Sequence, residues 1–304
     1  MTLSIIIVSW NTRELLDKCL ASIFANPPAG EFEVLVVDNH SSDGSLLLVK
    51  THYPQVRLIE NRENLGFARG NNQAIQQSKG DYVLLLNPDT EIKSGALQEL
   101  VVYLDANPTV GAAGARMLNP DGSLQPSCSP TPTLARELLR MFHLPGMRSD
   151  GYYAMEHWDK NLPRDVDVLL GACLILRREV LDQIGLLDEA YFVYSEEVDL
   201  CLQVQRAGWR LAWVPQAEVV HYGGQSTQQI AEAMFLSLYQ GKILFFRKHY
   251  GWAAVQVYKM ILFLAALGRL LITPIALLST PSRRRQRLAL SSHYRRLLSA
   301  LPEM

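Results

Sequence analysis

Acidic residues that follow directly on apolar runs are the first chemical signal in this chain. Tyr82-Val83-Leu84-Leu85-Leu86 reads as a buried strand that stops at Asn87-Pro88, and Asp89 follows at once. Proline cannot donate to a β-ladder, so the strand must end there. The same order occurs earlier: residues 32–37 read as a strand that finishes at Asp38, ahead of the polar turn Asn39-His40-Ser41-Ser42-Asp43-Gly44. In an open α/β sheet, ligands bind beyond the carboxyl ends of the strands. Asp38 and Asp89 therefore stand where a metal or a substrate would sit. For Asp89 taken alone, a turn whose carboxylate caps a helix over 94–107 is an equally good account.

A second signal is Glu196-Glu197, at the start of a helix reaching Ala207-Gly208, with Ser195 expected as its N-cap. On a wheel of about 100° per residue, Glu197 falls in the apolar arc of Val198, Leu200, Cys201 and Val204. Glu196, Asp199, Gln203 and Arg206 fall on the polar side. An inward carboxylate has its pKa raised toward the range of a general base. Without chemistry, the pair would serve the helix dipole, a contribution of roughly 0.3–1 kcal/mol. His221 follows a short strand and precedes Gly223-Gly224, which let a ligand approach the backbone. A lone histidine in such a place is more often a hydrogen-bonded structural residue.

The elements that must position these groups alternate. Residues 3–9 form a continuous β-branched run, as a parallel strand buried on both faces should. Trp10-Asn11-Thr12 breaks it, and Leu15, Leu16, Cys19, Leu20 and Ile23 recur at helical spacing to about Phe24. Strands are predicted over 56–60, 110–118, 167–176, 209–214 and 217–220. A helix after Asn71-Asn72 ends near Lys79-Gly80. This alternation predicts an α/β fold with a single doubly wound, mostly parallel sheet flanked by helices. Residues 125–164, rich in Pro, Ser and aromatics, read as an excursion that could cover a site. Gly171-Ala172 allows close approach to the backbone of the 167–176 strand, by a ligand or by tight core packing.

Composition narrows the function. With 304 residues, 48% hydrophobic, 19% charged and a net charge of −1, no global field attracts nucleic acid. The four cysteines form no CxxC pair, which argues against zinc and for buried thiols in a reducing cytoplasm. The apolar N-terminus lacks a basic region and reads as a first strand rather than a signal peptide. Neither GxGxxG nor GxxxxGK[ST] occurs, so a bound nucleotide would have its phosphates held by side chains and a metal.

The ordered motifs Val8-Ser9-Trp10-Asn11, Val37-Asp38-Asn39, Asn64-Leu65-Gly66-Phe67, Leu86-Asn87-Pro88-Asp89, Gly171-Ala172-Cys173-Leu174, Tyr194-Ser195-Glu196-Glu197 and His221-Tyr222-Gly223-Gly224 resemble family 2 glycosyltransferases of the GT-A fold. The rhamnosyltransferase-like subgroup is the nearest, and the match covers about residues 3–250. The resemblance implies inverting transfer from a nucleotide-diphosphate sugar, with dTDP-rhamnose as the first donor to test, to a hydroxyl of a glycan or polyprenyl-linked acceptor. By it, Ser9, Asn11, Asp38, Asn64, Gly66, Phe67 and Asn87 would line the donor. Asp89, with His221, would hold Mg²⁺ or Mn²⁺. Glu197 or Glu196 would be the base, and Gly171-Ala172 would face the acceptor. Asn87 stands where the family's metal motif has its first acid, and Glu197 stands where its base is Asp.

By this reading residues 1–250 form the transferase domain, 1–90 its nucleotide half and 91–250 its acceptor half. Residues 251–304 form a helical tail. Residues 255–278 are apolar but interrupted by Lys259, Arg269 and Pro274, and Arg283-Arg284-Arg285-Gln286-Arg287 follows. Interrupted apolar length with a basic cluster predicts a helix lying on the inner face of the membrane. The same tail is open to use as a homo-oligomer interface. Two other functions stay open: a non-catalytic sugar-nucleotide or glycan binder, and a sugar nucleotidyltransferase. The latter would want a Gly-rich basic loop where Ser9-Trp10-Asn11-Thr12-Arg13 stands.

Overall fold

A computed structural model describes residues 2–144, 151–224, 231–273 and 281–304. The chain divides into two compact units, residues 1–131 with 152–229 and residues 132–151 with 230–304.

The first unit is built on a mostly parallel sheet. Its strands are β1 (Thr2–Ser9), β2 (Glu31–Asp38), β3 (Arg57–Glu60), β4 (Tyr82–Leu86), β5 (Thr90–Ile92), β6 (Val110–Leu118), β8 (Arg164–Asp165), β10 (Cys173–Arg177) and β11 (Arg210–His221). The order is β3-β2-β1-β4-β10-β6-β11-β5, with β8 also on β11. β10 runs antiparallel between β4 and β6, and β5 runs antiparallel to β11. A separate ribbon joins β7 (Cys128–Ser129) to β9 (Val168–Leu169).

Alternation along β1 explains the layers. Leu3, Ile5 and Ile7 face one way, onto Leu16, Cys19, Leu20 and Ile23 of α1 (Arg13–Ala25) and Leu97, Leu100 and Leu104 of α4 (Ala96–Ala106). Ile6 and Val8 face the other way, with Ala74 and Ile75 of α3 (Phe67–Gln77), Val180 of α6 (Arg178–Ile184) and Leu200 and Val204 of α7 (Glu196–Arg206). Successive strand side chains point to opposite faces, and burying each large aliphatic one contributes about 1.5–3 kcal/mol. A further helix of this unit is α2 (Ser45–His52). All four cysteines are free and buried. Burial pushes the Cys19, Cys173 and Cys201 thiols up to about 12.

Three expectations change. The strand expected over 167–176 is two strands, β9 and β10, because the chain turns at Leu170-Gly171-Ala172. The pair expected over 209–220 is one strand, β11, with an irregularity between Val214 and Glu218. Asp89 does not lead into a helix: β5 follows it directly, and α4 begins only after Gly95, which takes a left-handed conformation.

The second unit packs α5 (Leu134–Met141), α8 (Ala231–Ile272) and α9 (Pro281–Ala300) around Tyr239, Phe246, Tyr258, Leu262 and Leu297. Within α8, Gly251 leaves helical geometry at φ 82°. Glu137 lies buried there, accepting from Arg140 and Lys242 at 2.6 and 2.7 Å. The 274–278 end of the expected apolar tail and the side chains of the Arg283–Arg287 cluster lie outside the described residues.

Candidate active site

The site collects at the carboxyl ends of β1, β2 and β4. Ser9 and Asp38 are register partners there. Asp38 is 4% exposed; its Oδ2 accepts from the Ser41 amide at 3.0 Å, while its buried Oδ1 has no hydrogen-bond partner. A buried acceptor without a donor costs about 1–3 kcal/mol, so this oxygen is suited to a ligand N–H. Ser9 and Asn11 are engaged within the protein. The Ser9 hydroxyl pairs with Thr12 at 2.9 Å, and Asn11 Oδ1 accepts from the Ser42 amide at 2.8 Å. Asn11 and His40 both take positive φ, 52° and 64°, so the two loops turn sharply together. Thr12 occupies the N-cap position of α1 without a side-chain capping bond.

The Asn64-Leu65-Gly66-Phe67 turn is tied to the same edge. Asn64 Oδ1 accepts from the Gly66 amide at 3.0 Å, and Asn39 Nδ2 donates to the Gly66 carbonyl at 3.0 Å. Gly66 sits at φ 84°, where an added Cβ would collide with the Phe192 carbonyl. Glycine adopts this geometry without steric cost.

Asp89 and His221 are brought together by the pairing of β5 with β11, in which Thr90 lies opposite His221. His221 Nε2 is 3.4 Å from Asp89 Oδ1. His221 Nδ1 meets Gln125 Oε1 at 2.6 Å. The Gln125 amide nitrogen donates to the His221 carbonyl and to Asn119 Oδ1, so its oxygen must be the acceptor and Nδ1 must carry the proton. Nε2, the nitrogen left to offer a lone pair when Nδ1 carries the ring's one proton, is buried and makes no hydrogen bond. An imidazole fixed through its other nitrogen, aimed at a carboxylate, fits a divalent metal. Among the described residues no group of three or more His, Cys, Asp or Glu could hold an ion. A cation at Asp89 and His221 would therefore complete its shell with phosphate and water oxygens, the habit of Mg²⁺.

Glu196 and Glu197 open α7 after an unusual turn. Tyr194 and Ser195 are consecutive non-glycine residues at φ 71° and 73°. Ser195 is the N-cap residue but makes no side-chain capping bond, contrary to expectation. Such backbone strain costs about 1–3 kcal/mol per residue and clusters at functional sites. The wheel assignment holds for Leu200, Cys201 and Val204, which are buried, and the Glu197 carboxylate has a buried oxygen. But Glu196 is 4% exposed and Asp199 fully buried on the side expected to be polar, while Glu197 and Val198 are half-buried as whole residues. Asp199 accepts from Gln203 at 2.6 Å and lies 3.5 Å from the Tyr191 hydroxyl, so the preceding loop folds over the face expected to meet water. Burial first, and then the charge of Glu197, raise the Glu196 carboxyl well above its ordinary value. Gly171 lies against Glu197: an added Cβ would stand 3.3 Å from Glu197 Cβ. The Ala172 carbonyl accepts from the Asn87 amide at 2.9 Å. Gly171-Ala172 thus links the acid pair to Asn87-Pro88-Asp89.

Gln125 was not singled out from the sequence. Gln125 is 96 residues from His221, and no spacing rule signals such a partner.

A parallel-cored sheet with acids at its carboxyl edge and an acid pair on a following helix has the architecture of the GT-A fold. The chain belongs to glycosyl transferase family 2, whose model matches residues 4–185; a second model, glycosyl transferase family group 2, matches residues 133–298. It is 30% identical over 264 residues to an N-acetylglucosaminyl-diphospho-decaprenol L-rhamnosyltransferase of Mycobacterium tuberculosis, covering 82% of this chain and 86% of that one. Its fold is similar to a mannosyltransferase of Pyrobaculum calidifontis in complex with GDP-Man and Mn²⁺, with TM-score 0.60, 19% identity and coverage of 98% and 86%. It is also similar to GalNAc-T7 with UDP, GalNAc and Mn²⁺, with TM-score 0.55 and 17% identity. There it covers 73% of this chain but spans only 44% of the longer one. The chain is accordingly a glycosyltransferase.

Proposed function

We propose that the chain transfers L-rhamnose, with inversion, from dTDP-rhamnose to a hydroxyl of a polyprenyl-diphosphate-linked glycan. The observation that carries the chemistry is the packing of Glu197 on Gly171, one residue from the Ala172 carbonyl that holds Asn87. A base at Glu197 would take the acceptor proton beside the motif that ends in Asp89. Burial and the charge of Glu197 raise the Glu196 carboxyl, so the two acids would titrate as a coupled pair. Asp38 Oδ1 would accept from the nucleobase. Asp89 and His221 would hold Mg²⁺ or Mn²⁺, which when bound stabilises the charge on the departing diphosphate. The rhamnosyl donor and lipid-linked acceptor follow the name of the Mycobacterium tuberculosis relative.

The membrane reading draws on α8. Ala233–Leu271 has the length and composition to cross a bilayer. Past Gly251, one face leaves Trp252, Val257, Met260, Phe263, Leu264 and Leu271 exposed, with Trp252 73% accessible. The basic Arg247 and Lys248 are exposed just before it. Aromatics and cations at the start of an apolar face suit a lipid surface.

Calorimetry with dTDP, UDP and GDP, each with and without Mn²⁺, tests the donor site. Binding of dTDP in preference to UDP and GDP, strengthened by Mn²⁺ and with that gain lost in Asp89→Ala, is expected; no nucleotide binding under any condition sinks the proposal. Glu197→Gln should keep dTDP affinity while transfer falls about 10²–10⁴-fold.

A further inference from the structure

One loop carries the acid pair, and a neighbouring helix holds it. Residues 187–195 run from the end of α6 to Glu196 and contain the strained Tyr194-Ser195 step. Asn72 of α3, only 4% exposed, grips this loop by its backbone. Its Nδ2 donates to the Leu187 carbonyl at 2.8 Å, and its Oδ1 accepts from the Leu187 amide at 3.1 Å. The same Nδ2 reaches Glu189 Oε1 at 3.1 Å, and Arg69 donates to Glu189 Oε2 at 3.1 Å. At the far end, the Phe67 amide donates to the Phe192 carbonyl at 2.7 Å, three residues before Ser195. Gly66 lets the two backbones meet, and Asn39, next to Asp38, holds the Gly66 carbonyl.

A side-chain amide that copies backbone pairing fixes a loop in both position and direction. We infer that Asn72 is the positioning residue of the acid pair: by clamping Leu187 and Glu189 it sets where Glu196 and Glu197 stand relative to the donor edge at Asp38 and Gly66. The inference rests on the proposed base role of that pair, but the clamp can be judged apart from it.

The test is Asn72→Ala in the full chain, read three ways. Amide hydrogen exchange over 187–195 should quicken about tenfold or more, the factor expected when an opening is eased by a lost buried hydrogen bond or two. Release of dTDP from dTDP-rhamnose in the presence of a polyprenyl-diphosphate N-acetylglucosamine acceptor should fall at least tenfold in kcat, with dTDP affinity within twofold. Asn72→Asp, which sets two carboxylates face to face, should be worse, and adding Glu189→Gln should recover part of kcat by restoring a donor. If Asn72→Ala does not fold, Arg69→Ala at the exposed end of the clamp and the Asp/Gln pair decide. Unchanged exchange over 187–195, or a kcat loss matched by an equal loss of dTDP affinity, overturns the inference. Activity retained in both Glu196→Gln and Glu197→Gln would instead remove the base reading, while the exchange result still judges the clamp.

Discussion

Gln125→Leu removes the hydrogen bond that orients the His221 ring through Nδ1. Among the described residues the wild-type Gln125 side chain makes three hydrogen bonds: from His221 Nδ1 at 2.6 Å, to the His221 carbonyl at 3.1 Å and to Asn119 Oδ1 at 2.9 Å. Leucine is close in size and supports none of them. The freed ring can then place its proton on Nε2 and donate it across the 3.4 Å gap to Asp89, which removes the lone pair a metal needs. Loss of an orienting partner behind a ligating histidine weakens metal affinity about 10–100-fold. That is about 1.4–2.8 kcal/mol, the same size as one or two net hydrogen bonds at about 0.5–1.5 kcal/mol each. The assay is calorimetric titration of Mn²⁺ into protein saturated with dTDP, with His221→Ala as the full-loss reference and thermal unfolding as a check on folding. Gln125→Leu should fall between wild type and His221→Ala, and metal-free dTDP binding should hold. Mn²⁺ affinity within twofold of wild type would refute the tautomer argument.

Two further outcomes follow from burial. The raised Glu196 carboxyl contributes stability that is fully present below its unfolded value, about pH 4, and is lost as pH rises through its folded value. Glu196→Gln should therefore match wild type in urea at low pH and gain on it steadily toward neutral pH, by about 1.4 kcal/mol for each unit of raised pKa; a pH-independent difference contradicts this. Trp252→Ser with Phe263→Ser removes two exposed anchors of α8. Sedimentation with vesicles containing anionic lipid should show at least about tenfold weaker binding, about 1.4 kcal/mol, and unchanged binding would exclude this face.

What the sequence determined by itself is local. Leu3, Ile5 and Ile7 on one side of β1 and Ile6 and Val8 on the other follow from a two-residue period, and the helices between strands follow from a period near 3.6. The stop at Asn87-Pro88 and the carboxylate after it are chain-neighbour facts, so Asp38 and Asp89 could be placed at strand ends with no structure in hand. The wheel for α7 found Leu200, Cys201 and Val204 but missed Glu196 and Asp199, because periodicity finds an apolar stripe and cannot tell what covers the other faces. Tyr191 and the loop before the helix cover Asp199, and with it Glu196 is buried. Ser195 had the right residue type for a cap, yet the left-handed turn directs it elsewhere. Only the tertiary structure decided which distant groups meet: Gln125 with His221 across 96 residues, and Asn72 with Leu187 across 115. Such pairs leave no mark on spacing, because their geometry is set by the register of β5 on β11 and the packing of α3, both fixed by the whole core.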